Sequence, residues 1–471
     1  MTELKRRLLF EKEDILKVTD AKCLNYSGKA SSICSVVIDS RKATPSSLFI
    51  PLKGTKTDGH RFLDDAVKRG ATAVFIAKTE WEKQADYVHK IIESSTVDIY
   101  MVEDTLKALQ VLAKFYLNTF KSLYRIGITG SNGKTTTKEI IGSILKGSAD
   151  TIINEGNLNS EIGLPLSVFQ VQPHHKYAVF EMGINHEGEM DILSEIVKAD
   201  SALITNIGIA HIGILGSINA IAEEKKKIFK FFNGNQNAFI YEKDAFYSFL
   251  SKDIKGRVIP FGPEKTIGVK GYRDLGLDGA VIYWEEFQVR YPLMGYYNFL
   301  NALCAISLAC ELGIEADYIK EGLENVKPLF GRSQIIRDNV TIIQDCYNSN
   351  PNSALETLKF FHAVPWKGKK VAILGSMLEL GENSEENHKM VVDLAVSLNF
   401  DFVFLYGNEF EGAYRSIKEK HCMGFIYWTE SFDSLRLEIE GHVKQGDLIF
   451  LKGSRGMQLE LLVPFLQNMI R

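Results

Sequence analysis

Residues Gly127 to Thr137 read GITGSNGKTTT, between the apolar run LYRIGIT and the amphipathic stretch TTTKEIIGSIL. A strand, a glycine turn and a helix that opens on lysine form a phosphate-binding arrangement. Gly130 and Gly133, with Ser131 and Asn132 between them, let backbone N–H groups approach phosphate oxygens. Lys134 can reach the β and γ phosphates, and a hydroxyl of Thr135 or Thr136 can hold Mg²⁺. The spacing departs from the strict Walker pattern, because the glycine due at position 128 is Ile128 and Gly127 comes one residue early. A glycine turn that merely happens to precede a lysine is the plainer alternative; a strand before it and a helix after it argue against that.

A magnesium nucleotide needs an acid at the end of a neighbouring strand, and YAVFE ends on Glu181. Strand-end acids also serve as caps or solvated residues, so spacing leaves both readings open. His211, in the loop NIGIAHIGILGS, reads either as a hydrogen-bonded structural histidine or as a ligand. Lys225, Lys226 and Lys227, in AEEKKKIF, read by pattern as a solvated helix face.

The elements that must position these groups follow from periodicity. From about Ser32 to Ile76 the apolar runs ICSVVI, SLFIPL and TAVFIA alternate with turns and the helical stretch HRFLDDAVKRG, which predicts a small α/β unit. The helix TLKALQVLAKFYLNTF leads into LYRIGIT, and in the helix after the glycine turn Ile140, Ile141, Ile144 and Leu145 share a face. YAVFE and ALITN, separated by the helix EMDILSEIVK, extend a parallel sheet that closes near NALCAISLACELG and VKPLFGR. From Asp338 the strands VTIIQD, KVAILG, FVFLYG and DLIFLKG alternate with helices, which predicts a second doubly wound unit. The expected fold is α/β in three domains, at 1–103, 104–328 and 329–471.

The chain has 471 residues, 45% of them hydrophobic, with 55 Lys plus Arg against 59 Asp plus Glu and a formal net charge of −4. That apolar fraction supports several packed cores and excludes disorder as the main state. No clustered basic patch offers a footprint for nucleic acid or an anionic membrane. Six scattered cysteines (Cys23, Cys34, Cys304, Cys310, Cys346, Cys422) show no CxxC pair or zinc spacing and read as reduced thiols of a cytoplasmic protein. The amino-terminal stretch MTELKRRLLFEKEDILK breaks its apolar run with charge, so no signal-peptide core is expected. Ser201–Ala222 lies uncharged between Asp200 and Glu223, but its Asn206, His211, Ser217, Asn219 and three glycines predict a buried strand and loop rather than a membrane span.

Beyond these local signals the chain resembles the Mur ligase family of ATP-dependent amide-forming enzymes. The resemblance is carried in order by DSR (Asp39–Arg41), KGTKTDGHRF (Lys53–Phe62), the phosphate loop, GNLNSEIGLP, FEMG, ITNIGIAHIGILGS, GYYNFLNAL, CYNSNPNSA, GSMLELGENSEENH and LKGSRG. The GNLNSEIGLP, YNSNP and MLELG segments are similar to the branch that adds D-alanyl-D-alanine to UDP-N-acetylmuramoyl-tripeptide.

The resemblance implies a small UDP-binding domain, a central P-loop ATPase domain and a Rossmann-like carboxy-terminal domain. It implies phosphate and Mg²⁺ contacts at Lys134 and Thr135, two Mg²⁺ ions approached by Glu181 and His211, and a CO₂-carbamylated Lys225. A carbamate is an anion able to ligate Mg²⁺, which an ammonium is not. Asn298 and Asn301 correspond to adenine-side contacts, Arg332 to a phosphate contact and Asp345 to a ribose contact. Asp39, Ser40 and Arg41 correspond to the UDP-binding segment, and Asn157 and Asn159 to the UDP-muramoyl site. Lys452, Ser454 and Arg455 belong to a closing loop, without a decision as to which touches substrate. The implied reaction passes through an acyl phosphate in a monomer whose carboxy-terminal domain closes on the site, in peptidoglycan precursor synthesis. The chain departs from the family pattern at Tyr297 (usually His), Gln344 and Ser376 (usually acids), Lys227, Asn154 and Ser160. A ligase adding a single amino acid to a shorter UDP-muramoyl peptide or glutamate to folate, a P-loop switch and a small-molecule kinase are the rival readings; the DSR segment argues against folate and the YNSNP loop for the dipeptide-adding branch.

Overall fold

The structure, a computed structural model, describes residues 8–26, 32–55, 57–94, 96–419 and 424–468. Cys422 and residues 1–7 of the amino-terminal stretch lie outside them. The fold is α/β in three domains, each organised on its own sheet. The first sheet runs Lys22–Asn25, Asp98–Val102, Ala73–Ala77, Ser47–Phe49, Ser35–Val37, parallel except at its first strand. The central sheet is wholly parallel, in the order Arg257–Phe261, Asn237–Tyr241, Ser201–Ile204, Tyr124–Thr129, Tyr177–Glu181, Thr151–Ile153. The third domain's sheet runs Gln334–Arg337, Thr341–Asp345, Leu448–Lys452, Lys370–Gly375, Phe402–Tyr406, Ile426–Thr429, with only its first strand antiparallel.

Burial on both faces explains the near-continuous apolar strands. Every residue of Tyr177–Glu181 and of Leu448–Lys452 is buried, including the terminal Glu181 and Lys452. Ser201–Ile204 is a buried strand, as its composition requires, but the stretch after it goes on into two helices, Ile212–Leu215 and Ile218–Lys226. Among the described residues no helix is long and apolar enough to cross a membrane. An antiparallel meander, Val269–Asp274, Ala280–Trp284 and Phe287–Tyr291, is absent from the sequence expectation. Its period-two pattern is interrupted by RDLGLDG, and its buried residues share a core with the helix Tyr296–Glu311.

Two buried features hold the central sheet in register with its helices. The Arg125 guanidinium donates to Leu117 O (2.8 Å), Val197 O (3.2 Å) and Asn118 Oδ1 (3.1 Å). It thus adds a cationic donor to carbonyls at the ends of the helices Thr105–Asn118 and Glu189–Val197, where a cation suits the helix dipole. On the other face the phosphate-loop helix Lys134–Ser148 buries Ile140, Ile141, Ile144 and Leu145. It crosses Ala316–Asn325 so closely that a Cβ on Gly322 would lie 2.4 Å from Ile144 Cα. Gly322→Ala must therefore push the two backbones apart. We expect a loss of about 1–3 kcal/mol in unfolding free energy, measured as a lower urea midpoint with native circular dichroism retained.

Candidate functional site

The strand Tyr124–Thr129 delivers the chain into a loop pinned by the segment that follows the adjacent strand Ser201–Ile204. Ser131 N donates to Asn206 O (2.9 Å), Asn132 N to Asn206 Oδ1 (3.0 Å) and Thr205 Oγ1 to Asn132 O (2.6 Å). Ser131 Oγ and the Gly208 backbone exchange two further bonds of 2.8 and 2.9 Å. Two glycines make this approach possible. A Cβ on Gly130 (φ +147°) would lie 1.9 Å from Thr205 Oγ1, and one on Gly133 (φ +79°) 2.4 Å from Asn301 Oδ1. Gly133 caps the helix Lys134–Ser148 with no side-chain acceptor, so the first N–H groups remain available to an anion. Lys134 Nζ folds back on Gly130 O at 2.8 Å. Burial lowers the pKa of this ammonium; Glu181 opposes that effect and Arg332 adds to it.

Glu181 is 2% exposed. Its Oε1 accepts from Asn159 Nδ2 at 2.6 Å, while its Oε2 is buried with no partner. Such an atom is costly to bury unless something is bound there. The strand end itself is clamped by Asn154, whose Oδ1 accepts Glu181 N (2.8 Å) and whose Nδ2 donates to Glu181 O (3.2 Å) and Leu158 O (2.8 Å). Lys138, fully buried on the phosphate-loop helix, donates to Asn154 O at 2.5 Å. The family departure at Asn154 therefore brackets the backbone of the site's acid.

The three consecutive lysines separate in the structure, which corrects the reading of them as one solvated face. Lys225 is 1% exposed, and no described residue hydrogen-bonds or ion-pairs with its Nζ. Burial, reinforced by the nearby Lys134 charge and opposed by Glu224, drives its pKa well below the ordinary value. Lys226 reaches outward to Phe249 O, and Lys227 bridges Glu224 (2.6 Å) and Asp191 (3.1 Å). The helix turn points only the first inward.

These groups border a cavity of about 480 Å³ between the central and carboxy-terminal domains. Its wall includes Ser131–Thr136, Asn157, Asn159, Glu181, His211, Tyr297, Asn298, Asn301, Arg332, Asp345 and Lys452. Lys225 is not on that wall but is within the electrostatic reach of Lys134. Asn298 and Asn301, one turn apart, are joined by a 3.1 Å hydrogen bond, and Tyr297 OH meets Ser333 Oγ at 3.0 Å. Asp345 accepts from Ser333 N (3.0 Å) and pairs with Lys452 Nζ (2.9 Å); the Arg332 guanidinium lies 4.3 Å from the Tyr347 ring centroid. Asp39, Ser40 and Arg41 are not on this wall. They form a short turn of the first domain in which Arg41 ion-pairs with Asp39 at 2.8 Å and, chiefly by that hydrogen bond, holds its carboxyl down to about 2.

The carboxy-terminal domain reaches the loop through residues that sequence reading passed over. Asn350 caps the helix Pro351–Ala363 and donates to Asn132 Oδ1 at 2.7 Å, and Asn352 accepts Ile209 N at 3.3 Å. The N-cap position of the asparagine in NSNP was the available signal. Of the closing loop, Lys452 is on the wall, Ser454 accepts Leu378 N (2.9 Å) and Arg455 pairs with Glu460 (2.9 Å). Two departures are buried. Ser376 is fully buried against Gly407, where a Cβ would already lie 2.2 Å from its hydroxyl, so a larger acid has no room. Gln344 is buried, with Cys346 Sγ as its amide's partner at 3.6 Å. An acid there would be a charge placed in a buried setting, which a neutral amide avoids.

Among the described residues no three His, Cys, Asp or Glu side chains gather as a metal-binding group. The orphaned Glu181 Oε2, on the same cavity wall as Thr135, nonetheless fits a hard cation that also takes phosphate oxygens. Gly133→Ala forces both a positive φ and a contact with Asn301. We expect ATP affinity to fall by at least about tenfold, the equivalent of ~1.4 kcal/mol, in titration calorimetry, alongside a loss of about 1–2 kcal/mol in unfolding free energy from the left-handed backbone.

The comparisons with known proteins agree with this geometry. Family models match at residues 32–117 (Mur ligase family, catalytic domain), 128–309 (Mur ligase middle domain) and 331–455 (Mur ligase, glutamate ligase domain). The UDP-N-acetylmuramoyl-tripeptide–D-alanyl-D-alanine ligase of Treponema pallidum is 40% identical over 436 residues, 92% of this chain and 94% of that protein. A crystal structure of MurF from Acinetobacter baumannii superposes with a TM-score of 0.85 at 28% identity, covering 97% of this chain and 98% of that one. MurF ligase from Thermotoga maritima in complex with ADP gives 0.77 at 26% identity, covering 92% and 97%.

Proposed function

The chain belongs to the Mur ligase family, and from that premise we propose that it joins D-alanyl-D-alanine to UDP-N-acetylmuramoyl-tripeptide, forming ADP, phosphate and the UDP-linked pentapeptide of peptidoglycan synthesis. The observation that carries the reading is the cavity itself, in which a phosphate loop, a partnerless buried carboxylate oxygen and the carboxy-terminal domain converge. The division at 1–103, 104–328 and 329–471 assigns the UDP moiety to the first domain, ATP to the second and closure to the third. Dependence on ATP makes the cytoplasm the compartment of this reading, and the chain acts as a monomer.

The tripeptide carboxylate attacks the γ-phosphorus of ATP, giving an acyl phosphate and ADP. The dipeptide amine then adds to the acyl carbon and phosphate leaves. The loop N–H groups and Lys134 bind the phosphates and stabilise charge on the transferring group. Asn298 and Asn301 face the adenine side, Arg332 a phosphate and Asp345 the ribose. Asp39, Ser40 and Arg41 hold the uridine diphosphate, while Asn157 and Asn159 hold the muramoyl end. Mg²⁺ held by Thr135, Glu181, His211 and a carbamate on Lys225 would supply further charge neutralisation at the phosphoryl oxygens. Lys225 suits carbamylation because CO₂ adds to a neutral amine, and burial beside Lys134 favours the neutral form. The cross-domain bonds from Asn350 and Asn352 support closure, which keeps water from the acyl phosphate.

The direct experiment incubates the purified protein with MgATP, D-Ala-D-Ala and UDP-MurNAc-tripeptides carrying meso-diaminopimelate or L-lysine, and reads product mass. A pentapeptide with stoichiometric ADP is the expected result; ADP without pentapeptide would point to a switch NTPase, and a lasting phosphorylated product to a kinase. Lys134→Ala is expected to lower turnover by about 10²–10³-fold while UDP-tripeptide binding persists. Lys225→Ala should lose ligation to a similar extent, with partial recovery on adding short-chain carboxylates. Undiminished activity in that variant rules out the carbamate.

A further inference from the structure

The carboxy-terminal domain meets the central one through two backbone turns that mirror each other. His211 (φ +64°) and Glu379 (φ +67°) both adopt left-handed backbone, which few non-glycine residues do. Gly213 N donates to Glu379 O across the domain boundary at 3.2 Å. Two residues beyond each turn residue, Gly213 and Gly381 lie back to back. A Cβ on Gly213 would be 2.5 Å from Gly381 N, and one on Gly381 2.7 Å from Gly213 Cα. Only a glycine on each side permits this approach.

The fit brings His211 Nδ1 to 2.9 Å from Glu379 Oε2. A carboxylate can only accept, so Nδ1–H donates and Nε2 is the ring nitrogen left unprotonated in the neutral imidazole. The Glu379 side chain is 56% exposed whereas that of His211 is 17% exposed. A pair with so exposed a partner contributes little to stability, yet it orients an imidazole on the cavity wall, as outer-sphere carboxylates orient metal-binding histidines.

We propose that Glu379 is a positioning residue: docking of the carboxy-terminal domain sets its carboxylate against His211 Nδ1 and so presents Nε2 to the divalent cation. Domain docking and completion of the cation site are then one event, and an undocked domain leaves the ring unoriented. The inference rests on the ligase reading for His211, although its test can be separated from that reading.

The full-length protein, with ADP bound and Mn²⁺ as the probe, is examined by electron paramagnetic resonance beside steady-state kinetics. Glu379→Ala is expected to weaken Mn²⁺ binding and lower kcat by about 10–100-fold, leaving KM for D-Ala-D-Ala within about twofold. Glu379→Gln, whose amide oxygen still accepts from Nδ1–H, should recover most of both. Gly381→Ala, which leaves Glu379 in place but blocks the turn contact, should also weaken Mn²⁺ binding. Wild-type Mn²⁺ affinity in Glu379→Ala, or a Gln variant as impaired as the Ala variant, would overturn the proposal. If the wild-type protein forms no pentapeptide, the ligase reading fails, while the Mn²⁺ comparison still decides the role of Glu379.

Discussion

Two lysines in one buried neighbourhood impose the constraint around which the site is organised. Lys134 and Lys225 are both held where burial disfavours their charge, and the charge of Lys134 further disfavours that of Lys225. A protein interior holds such groups only if negative charge is supplied or one of them is neutral. Glu181 supplies some, with one oxygen still unpartnered. The open N–H groups of the phosphate-loop helix attract more in the form of a phosphate. On the ligase reading, this incompleteness of negative charge is what the phosphates of a nucleotide would make good.

That incompleteness has to be maintained against collapse, and the packing around it does so. The loop cannot close on itself because Thr205 and Asn206 hold its backbone from the adjacent strand end. Glu181 cannot swing toward Lys134 because Asn154 clamps its backbone and Asn159 takes one of its oxygens. Lys138, a buried cation with no place on the cavity wall, anchors Asn154 from the phosphate-loop helix. Rigid support of this kind, one shell removed from the reacting groups, lets a site bind charge without reorganising.

The domain boundary adds a second constraint, which is steric. Phosphate loop and carboxy-terminal domain touch through Asn132 and Asn350, and the two glycine turns touch without room for a methyl group. A contact that tolerates no side chain has few intermediate positions, so docking tends toward an all-or-none event. On the ligase reading this suits a water-sensitive acyl phosphate, which a docked domain would shield while the amine adds.

Local chemistry made part of this protein legible from its sequence. The strand, glycine turn, lysine and helix of residues 124–148 could be placed because each residue type acts on its immediate neighbours. The parallel strands stood out as apolar runs because both of their faces are buried. The meander at residues 269–291 did not, since its strands alternate only weakly and are separated by glycine turns. Within the site, local pattern named Lys134 and left Glu181 and His211 open between structural and ligand readings, and the family resemblance alone implied the ligand roles. Local pattern could not tell Lys225 from Lys226 and Lys227, because three adjacent lysines differ only in the direction a helix turns them, and the family resemblance alone singled out Lys225. Nor could it bring Glu379 to His211 or Asn350 to Asn132, pairs 168 and 218 residues apart. Burial and long-range contact belong to the packed chain, and tertiary structure alone decides which of several equivalent side chains loses its water and which distant one comes to face it.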